Sequence, residues 1–337
     1  SCVLYDPWLN ALIYEENGFE RRGMASTTKI MTGALALELY DIEAVVTIKP
    51  EWCGAEGSSM YLKAGEQMRI SDLVYGLMLM SGNDAAVALA SIYSGDVTDF
   101  IALMNQKAQQ LGLEDTAFEN PNGLESEGHY STAYDMARLT AWAMENPVFC
   151  EIAGTRSAEL AGRYMKNHNK LLGTLEGCTG VKTGYTNASG RCLVSSCTRE
   201  GRTLIAVTLN GPDDWRDHTG LYNSTLADIQ QRQLVEAGQV GTVYMANAGI
   251  HADLTVAGSY SVPLSEAENG QVRLELCGPR IWYGPAGDGE SWGVLRVYLG
   301  AHLISELPVI FGQTVEVSQP KPGPLARLWQ AFSDMFS

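Results

Sequence analysis

The sequence contains no C-x-x-C pair and no two histidines at metal-ligand spacing. No zinc site is therefore expected, and no motif calls for a cofactor. It also lacks any run of about 18 apolar residues, so no helix is expected to cross a bilayer. Basic residues are scarce: 23 Lys and Arg face 39 Asp and Glu, a net charge of -16. Phosphate binding needs a basic surface, so nucleic acid is not expected as a partner. No secretory signal peptide is evident, and the chain opens at Ser1, so removal of an upstream segment is an expectation. The seven cysteines (Cys2, Cys53, Cys150, Cys178, Cys192, Cys197 and Cys277) are odd in number, which leaves at least one thiol free. Most are expected to be small core residues. For Cys2, a lipid-modified N-terminal cysteine is the other reading.

What is present is ordinary globular composition, 45% hydrophobic with 35 glycines, at a length of 337 residues that suggests about two domains. Val3–Asp6 and Ala11–Tyr14 read as a hairpin turning at Asp6-Pro7, and Asn17-Gly18 as the next turn. Ile30–Tyr40 is an apolar helical run. Ala44–Ile48 reads as a strand, and Ser71-Asp72 as the cap of an apolar helix from Leu73 to Met80. Further helices are expected from Asp84, from Thr98 to Gly112, and from Thr132 to about Pro147. After residue 180 strands take over at Val181–Thr183, Arg191–Cys197 and Thr203–Leu209. Strands at both ends with helices between predict an α+β domain over 1–230 whose terminal strands share an antiparallel sheet. From Gln231 short strands spaced by Gly, Asn and Pro predict a small all-β sandwich over 231–319. Pro320, Pro322 and Pro324 make a stiff connector. Leu325, Leu328, Trp329, Phe332, Met335 and Phe336 then share one face of an amphipathic segment over 320–337. That face suits a membrane interface, or docking on protein; only Lys321 and Arg327 are basic nearby.

Three short motifs carry chemistry. Ser26-Thr27-Thr28-Lys29 heads the first apolar helix, and three-residue spacing puts the hydroxyl and the amine on one face. Serine needs a base, and a lysine serves only when desolvation keeps it neutral. Ser81-Gly82-Asn83 lies in a break between two helices: Ser81 can relay a proton and Asn83 can hold a substrate backbone. Lys182-Thr183-Gly184 lies on a strand. There Lys182 supplies positive charge, Thr183 a hydrogen bond to a carboxylate, and Gly184 close approach of a substrate strand. An oxyanion hole would use the backbone N–H groups of Ser26 and Tyr185. Singly each motif is weak or moderate. All three in this order are strong, and they are the set of penicillin-recognising serine enzymes.

The chain thus resembles the low-molecular-mass penicillin-binding proteins that act as D-alanyl-D-alanine carboxypeptidases. The likeness spans roughly residues 3 to 225 and includes Arg22–Thr32, Leu77–Ala85, Asn120–Leu124, His129–Ala133, Asn167–Leu172 and Gly180–Thr186. It implies a β-lactamase/transpeptidase-like catalytic domain followed by a looser C-terminal sandwich. It also implies Ser26 as acyl-ester nucleophile, Lys29 as its proton acceptor, Ser81 and Asn83 completing the site, and Lys182, Thr183, Gly184 and Tyr185 binding substrate. The implied reaction removes the terminal D-alanine of a peptidoglycan stem peptide, with β-lactam antibiotics as inhibitors. The implied location is the outer face of the bacterial cytoplasmic membrane, reached through the C-terminal segment. Two departures stand out: Pro7-Trp8-Leu9-Asn10 replaces a Thr-Gly turn, and Tyr185 replaces the His of some relatives.

Competing readings attach to particular residues. Glu119 would matter in a serine β-lactamase of the same fold, where a glutamate activates the deacylating water. A non-catalytic wall-binding homologue would not need Ser26, Lys29 and Lys182 together. His129 and His168 read as structural rather than as catalytic bases. Asp213, Asp214 and Asp217 read as a solvated loop. Trp282, Tyr283 and Trp292 read as sandwich aromatics rather than a carbohydrate surface.

Overall fold

The hairpin expected at the start is present: β1 (Cys2–Asp6) pairs antiparallel with β2 (Ala11–Glu16). The turn is fastened by Asp6, whose Oδ1 accepts the Trp8 amide at 2.9 Å. The chain is described from a computed structural model over residues 1–316. It divides into two units between Ile229 and Gln230.

In the first unit a 3₁₀ turn (Ala25–Thr28) leads into α1 (Lys29–Leu39). Then come β3 (Val45–Thr47), β4 (Gln67–Arg69), α2 (Ile70–Leu79), α3 (Asn83–Ser94) and α4 (Val97–Gln110). Next are α5 (Ala133–Ala143), α6 (Pro147–Gly154), β5 (Ser157–Leu160), β6 (Arg163–Lys166) and α7 (Leu171–Thr174). The unit closes with β7 (Cys178–Thr186), β8 (Gly190–Arg199), β9 (Arg202–Leu209) and α8 (Asp214–Thr225). The main sheet runs β2-β1-β9-β8-β7, antiparallel throughout. Cys2 faces Thr208 in that ladder, so the two ends of the unit meet in one sheet, as the α+β reading requires. β7 is left at its edge.

Against this sheet pack helices with few polar positions. α1 buries every residue from Lys29 to Ala36, and α2 buries Leu73, Val74, Leu77 and Met78. Each such large side chain contributes about 1.5–3 kcal/mol of burial. The two helices meet at Gly33, where an added Cβ would lie 3.2 Å from Leu77.

Several boundaries differ from expectation. The cap of α2 is not Ser71-Asp72: the helix starts at Ile70, and Asp72 pairs with Arg69 in the first turn. α4 is capped by Asp96, which accepts the Thr98 amide at 2.8 Å, and so begins one residue before Thr98. Thr132 caps α5 by accepting the Asp135 amide, while the Asp135 carboxylate accepts from the Asp115 amide and the Thr116 hydroxyl. The helix expected to run to about Pro147 ends at Ala143, and a further helix that was not anticipated follows, with Asn146 as cap and Pro147 in its first turn. The β5–β6 hairpin was not anticipated; its strands are only four residues each and half exposed. Among the cysteines only Cys192 and Cys197 are buried; the other five are partly exposed, so the core expectation fails for most.

The second unit comprises β10 (Gln230–Val235), β11 (Gly238–Met245), β12 (Ile250–Val256), β13 (Tyr260–Leu264), β14 (Val272–Cys277), β15 (Ile281–Trp282), β16 (Ser291–Leu299) and β17 (His302–Phe311). Six strands form one sheet in the order β14-β16-β17-β12-β11-β15, and β10 pairs with β13. One helical turn, α9 (Glu266–Asn269), interrupts them, held by a Ser265/Glu268 capping box. Trp292 is in the core, Trp282 stacks edge-on to Phe311, and only Tyr283 is exposed. The connector and amphipathic segment at 320–337 lie outside the described residues.

The first unit's sheet is cross-tied by Asp6 and Arg202, both buried, with Arg202 Nε 2.9 Å from Asp6 Oδ2. The guanidinium also stacks on Trp8 at 4.6 Å. Removing one member of such a pair strands a buried charge, which costs about 3–5 kcal/mol. Asp6→Ala should therefore lose that much stability in urea unfolding. A loss below about 1 kcal/mol would show that the pair does not tie the sheet.

Candidate active site

The catalytic hydroxyl predicted at Ser26 does not sit on an α-helix. It lies on the 3₁₀ turn Ala25–Thr28, because Ala25 holds a left-handed φ of +45°. Such a non-glycine conformation costs about 1–3 kcal/mol and persists only where surroundings impose it. Those surroundings are visible. Gly123 packs so tightly that a Cβ there would lie 1.9 Å from the Ala25 carbonyl oxygen. Thr28 Oγ1 donates to that same carbonyl at 2.8 Å and meets His129 Nε2 at 2.8 Å. His129 Nδ1 accepts the Glu119 amide at 3.0 Å, so Nε2 carries the proton. Burial lowers the His129 pKa to about 4, which keeps it neutral. His129 is thus a brace for the Ala25–Thr28 turn, as the structural reading held.

The spacing argument survives the change of helix type. Lys29 Nζ is 2.9 Å from Ser26 Oγ, and its ammonium or amine also donates to the Asn122 carbonyl. Lys29 is fully buried. Burial chiefly, and then the charge of Lys182, hold its pKa well below the usual lysine range; Asp84 opposes them. Burial prevails because a lone ammonium in a low-dielectric site loses its hydration shell.

Ser81 sits in the break between α2 and α3, also left-handed, with φ of +59°. Its hydroxyl accepts from Lys182 Nζ at 3.1 Å. Asn83 is the first residue of α3 rather than a loop residue. Its Nδ2 donates to the Glu56 carbonyl, while Oδ1 is buried with no partner among the described residues. Lys182 is buried on β7, and burial lowers its pKa to about 7. Gly184 lets that strand press on the Ala25–Thr28 turn: a Cβ there would lie 3.0 Å from the Ser26 amide nitrogen. Tyr185 is exposed, its hydroxyl 3.3 Å from Asn187.

These residues converge. A groove of about 340 Å³ is lined by Ser26, Ser81, Thr183, Gly184, Tyr185 and His168, with Arg191 and Trp215 at its side. Burial also lowers the His168 pKa. Glu119 is turned away: its carboxylate accepts the Gly128 amide at 3.1 Å and the Ser126 hydroxyl. The acidic cluster is taken up by arginines. Asp214 is buried against Arg191, and Asp213 and Asp217 both face Arg216.

Sequence reasoning missed Asp84. Its buried carboxylate accepts the Ser59 hydroxyl and the amides of Met60, Leu62 and Ala85, so it fixes the 59–62 segment beside Asn83. No local signal marks it, since its main partners lie 22–25 residues away. The Asn122 carbonyl was missed too. The Asn-Pro-Asn-Gly turn did signal a left-handed glycine, and Gly123 has φ of +85°.

Known proteins bear on this arrangement. The sequence profile of the D-alanyl-D-alanine carboxypeptidase family, peptidase S11, matches residues 1–213. D-alanyl-D-alanine carboxypeptidase DacF of Bacillus subtilis is 30% identical over 325 residues, covering 92% of this chain and 84% of the relative. DacC of Escherichia coli is 30% identical over 352 residues, covering 98% and 86%. The structure of penicillin binding protein 5 from Haemophilus influenzae matches with a TM-score of 0.71 and 27% identity, over 94% of this chain and 96% of that one. The chain belongs to the D-alanyl-D-alanine carboxypeptidase family of penicillin-binding proteins, serine-type hydrolases of peptidase family S11.

Proposed function

We propose that Ser26 carries the acyl-enzyme in removal of the terminal D-alanine from peptidoglycan stem peptides. The observation that carries this is the 2.9 Å contact of Ser26 Oγ with a lysine whose pKa burial holds well below the usual lysine range. In the first step the Ser26 hydroxyl proton passes to Lys29 Nζ as Oγ bonds the penultimate D-alanine carbonyl carbon. The Ser26 and Tyr185 amides stabilise the oxyanion. The C–N bond then breaks, and the leaving amine takes its proton through Ser81. Lys182 and Thr183 hold the terminal carboxylate, and Asn83 Oδ1 accepts a substrate N–H. Water hydrolyses the ester, releasing the shortened peptide and restoring Ser26. Penicillins acylate the same hydroxyl.

The reaction is proposed to occur at the outer face of the cytoplasmic membrane. Support comes from the apolar stripe of Leu325, Leu328, Trp329, Phe332, Met335 and Phe336 in the sequence.

D-alanine release from a peptide ending in D-Ala-D-Ala should vanish in Ser26→Ala; persistent release would remove Ser26 as nucleophile. The pH profile has a definite sign. Lys29 acts when neutral, so kcat/KM rises with pH through its lowered pKa. Lys182 acts when protonated, so kcat/KM falls as pH passes about 7. In Lys182→Arg that falling limb should be gone below pH 9; an unchanged limb would assign it elsewhere. Gly123→Ala should slow penicillin labelling of Ser26 by about tenfold or more, because the Ala25 carbonyl must move. For the membrane, the full chain should sediment with phosphatidylglycerol vesicles, and Trp329→Glu with Phe332→Glu should abolish this. Equal sedimentation of both proteins would refute the anchor.

A further inference from the structure

Two of the seven cysteines face each other across the main sheet. Cys178 opens β7, and its register partner on β8 is Cys197. The Thr198 amide donates to the Gly177 carbonyl at 2.8 Å, while the Cys178 amide turns back to the Leu175 carbonyl. The two cysteines thus form a non-hydrogen-bonded pair of the ladder. In such a pair the Cα atoms stand about 4.5 Å apart and the side chains come closest. Disulfides span Cα separations of about 4.4–6.8 Å, so this register falls within their reach.

The surroundings suit a bond. Directly opposite residues point to the same face of a sheet, and both thiols join the apolar cluster of Leu171, Leu175, Leu204 and Tyr222. Cys197 is buried there and Cys178 is half-buried. Gly177 leaves room for the sulfur, since a Cβ there would lie 3.2 Å from Cys197 Sγ. Cys178 Sγ donates to the Gly180 carbonyl and Cys197 Sγ to that of Glu176, both at 3.4 Å, and such thiol bonds are weak. Among the described residues no other cysteine faces a cysteine across a ladder. Cys2 faces Glu16 and Thr208, Cys192 faces Gly184 and Leu209, and Cys277 faces Val294.

We propose that Cys178 and Cys197 form a cross-strand disulfide when the chain meets a disulfide oxidant, and that the bond staples β7 to β8. β7 is the edge strand that carries Lys182, Thr183 and Gly184, and β8 is its only neighbour in the sheet. The half-exposed Cys178 reacts first. Its thiolate attacks an external disulfide, forms a mixed disulfide and expels one thiolate, which takes up the proton Cys178 gave. The Cys197 thiolate then attacks Cys178 Sγ and expels the second thiolate, which is protonated in turn. Two protein thiols are oxidised and one external disulfide is reduced to two thiols. Burial pushes the Cys197 thiol up to about 11 and raises that of Cys178 as well. Thiolate is scarce at neutral pH, so the bond forms slowly. Thiols of high pKa are also poor leaving groups, so the bond resists exchange once made.

The test treats the reduced, folded full chain with oxidised glutathione at about pH 8.5, where more thiolate is present. Remaining thiols are then blocked with N-ethylmaleimide in urea, and the digest is read by mass spectrometry. The native chain should give one linked peptide pair, Cys178 to Cys197, lighter by two hydrogens, with the other five cysteines blocked. It should also melt about 5 °C or more above its reduced form, because the bond closes the loop that holds β7. Cys178→Ser, at a half-exposed position, should melt with the reduced native chain and show neither the link nor the rise. Cys197→Ala should likewise show neither. Both cysteines blocked in the native chain, or glutathione retained on Cys178 beside a free Cys197, would overturn the disulfide. A linked pair without a rise in melting temperature would overturn the staple. A rise that persists in Cys178→Ser would assign the effect to other thiols and overturn it too.

Discussion

The desolvation of one amine, Lys29 Nζ, is the constraint to which the catalytic unit is fitted. An ammonium there would lack water and would face the charge of Lys182, with only Asp84 to offset both. Burial thus biases the site toward the neutral amine, the form able to take a proton from a neighbouring hydroxyl. The helices that exclude water from it, α1, α2 and α3, are the same ones that build the unit's main core. Function and stability thus draw on one set of contacts. The second lysine follows the same physics with less force: burial takes Lys182 to about 7, where it can still carry charge for a carboxylate.

Around that amine the backbone is held in places it would not choose. Ala25 and Ser81 are both left-handed without being glycine, and both adjoin or carry a hydroxyl that lines the groove. Each is held by groups distant in sequence. Gly123 and the Thr28–His129 pair brace the first turn. The Asp84 carboxylate, gathering the 59–62 amides, braces the segment beside the second. The strain is affordable because these partners are themselves buried and fully engaged.

How much was legible follows from how local each signal is. Lys29 meets Ser26 whether the turn is 3₁₀ or α, because three residues close a turn in either. The hairpin of β1 and β2 and the strands β8 and β9 were readable from alternation and turn residues. The cap of α4 was misplaced because Asp96 and Thr98 are both good caps, and only the bond between them decides which acts. The start of α6 was hidden because Pro147 reads equally as a helix end and as a first-turn residue.

The amino-acid sequence by itself determined the chemistry: which residues carry hydroxyl, amine and amide, and in which order along the chain. It also determined that the ends of the first unit would share a sheet. Only the tertiary structure decided the lowered pKa of Lys29 and of Lys182, the roles of Asp84, Gly123 and the Asn122 carbonyl, and the presence of a cleft behind Ser26. Those depend on burial and on partners brought from 22 to 101 residues away. Desolvation and close backbone approach are properties of the packed interior, and no window of sequence contains them.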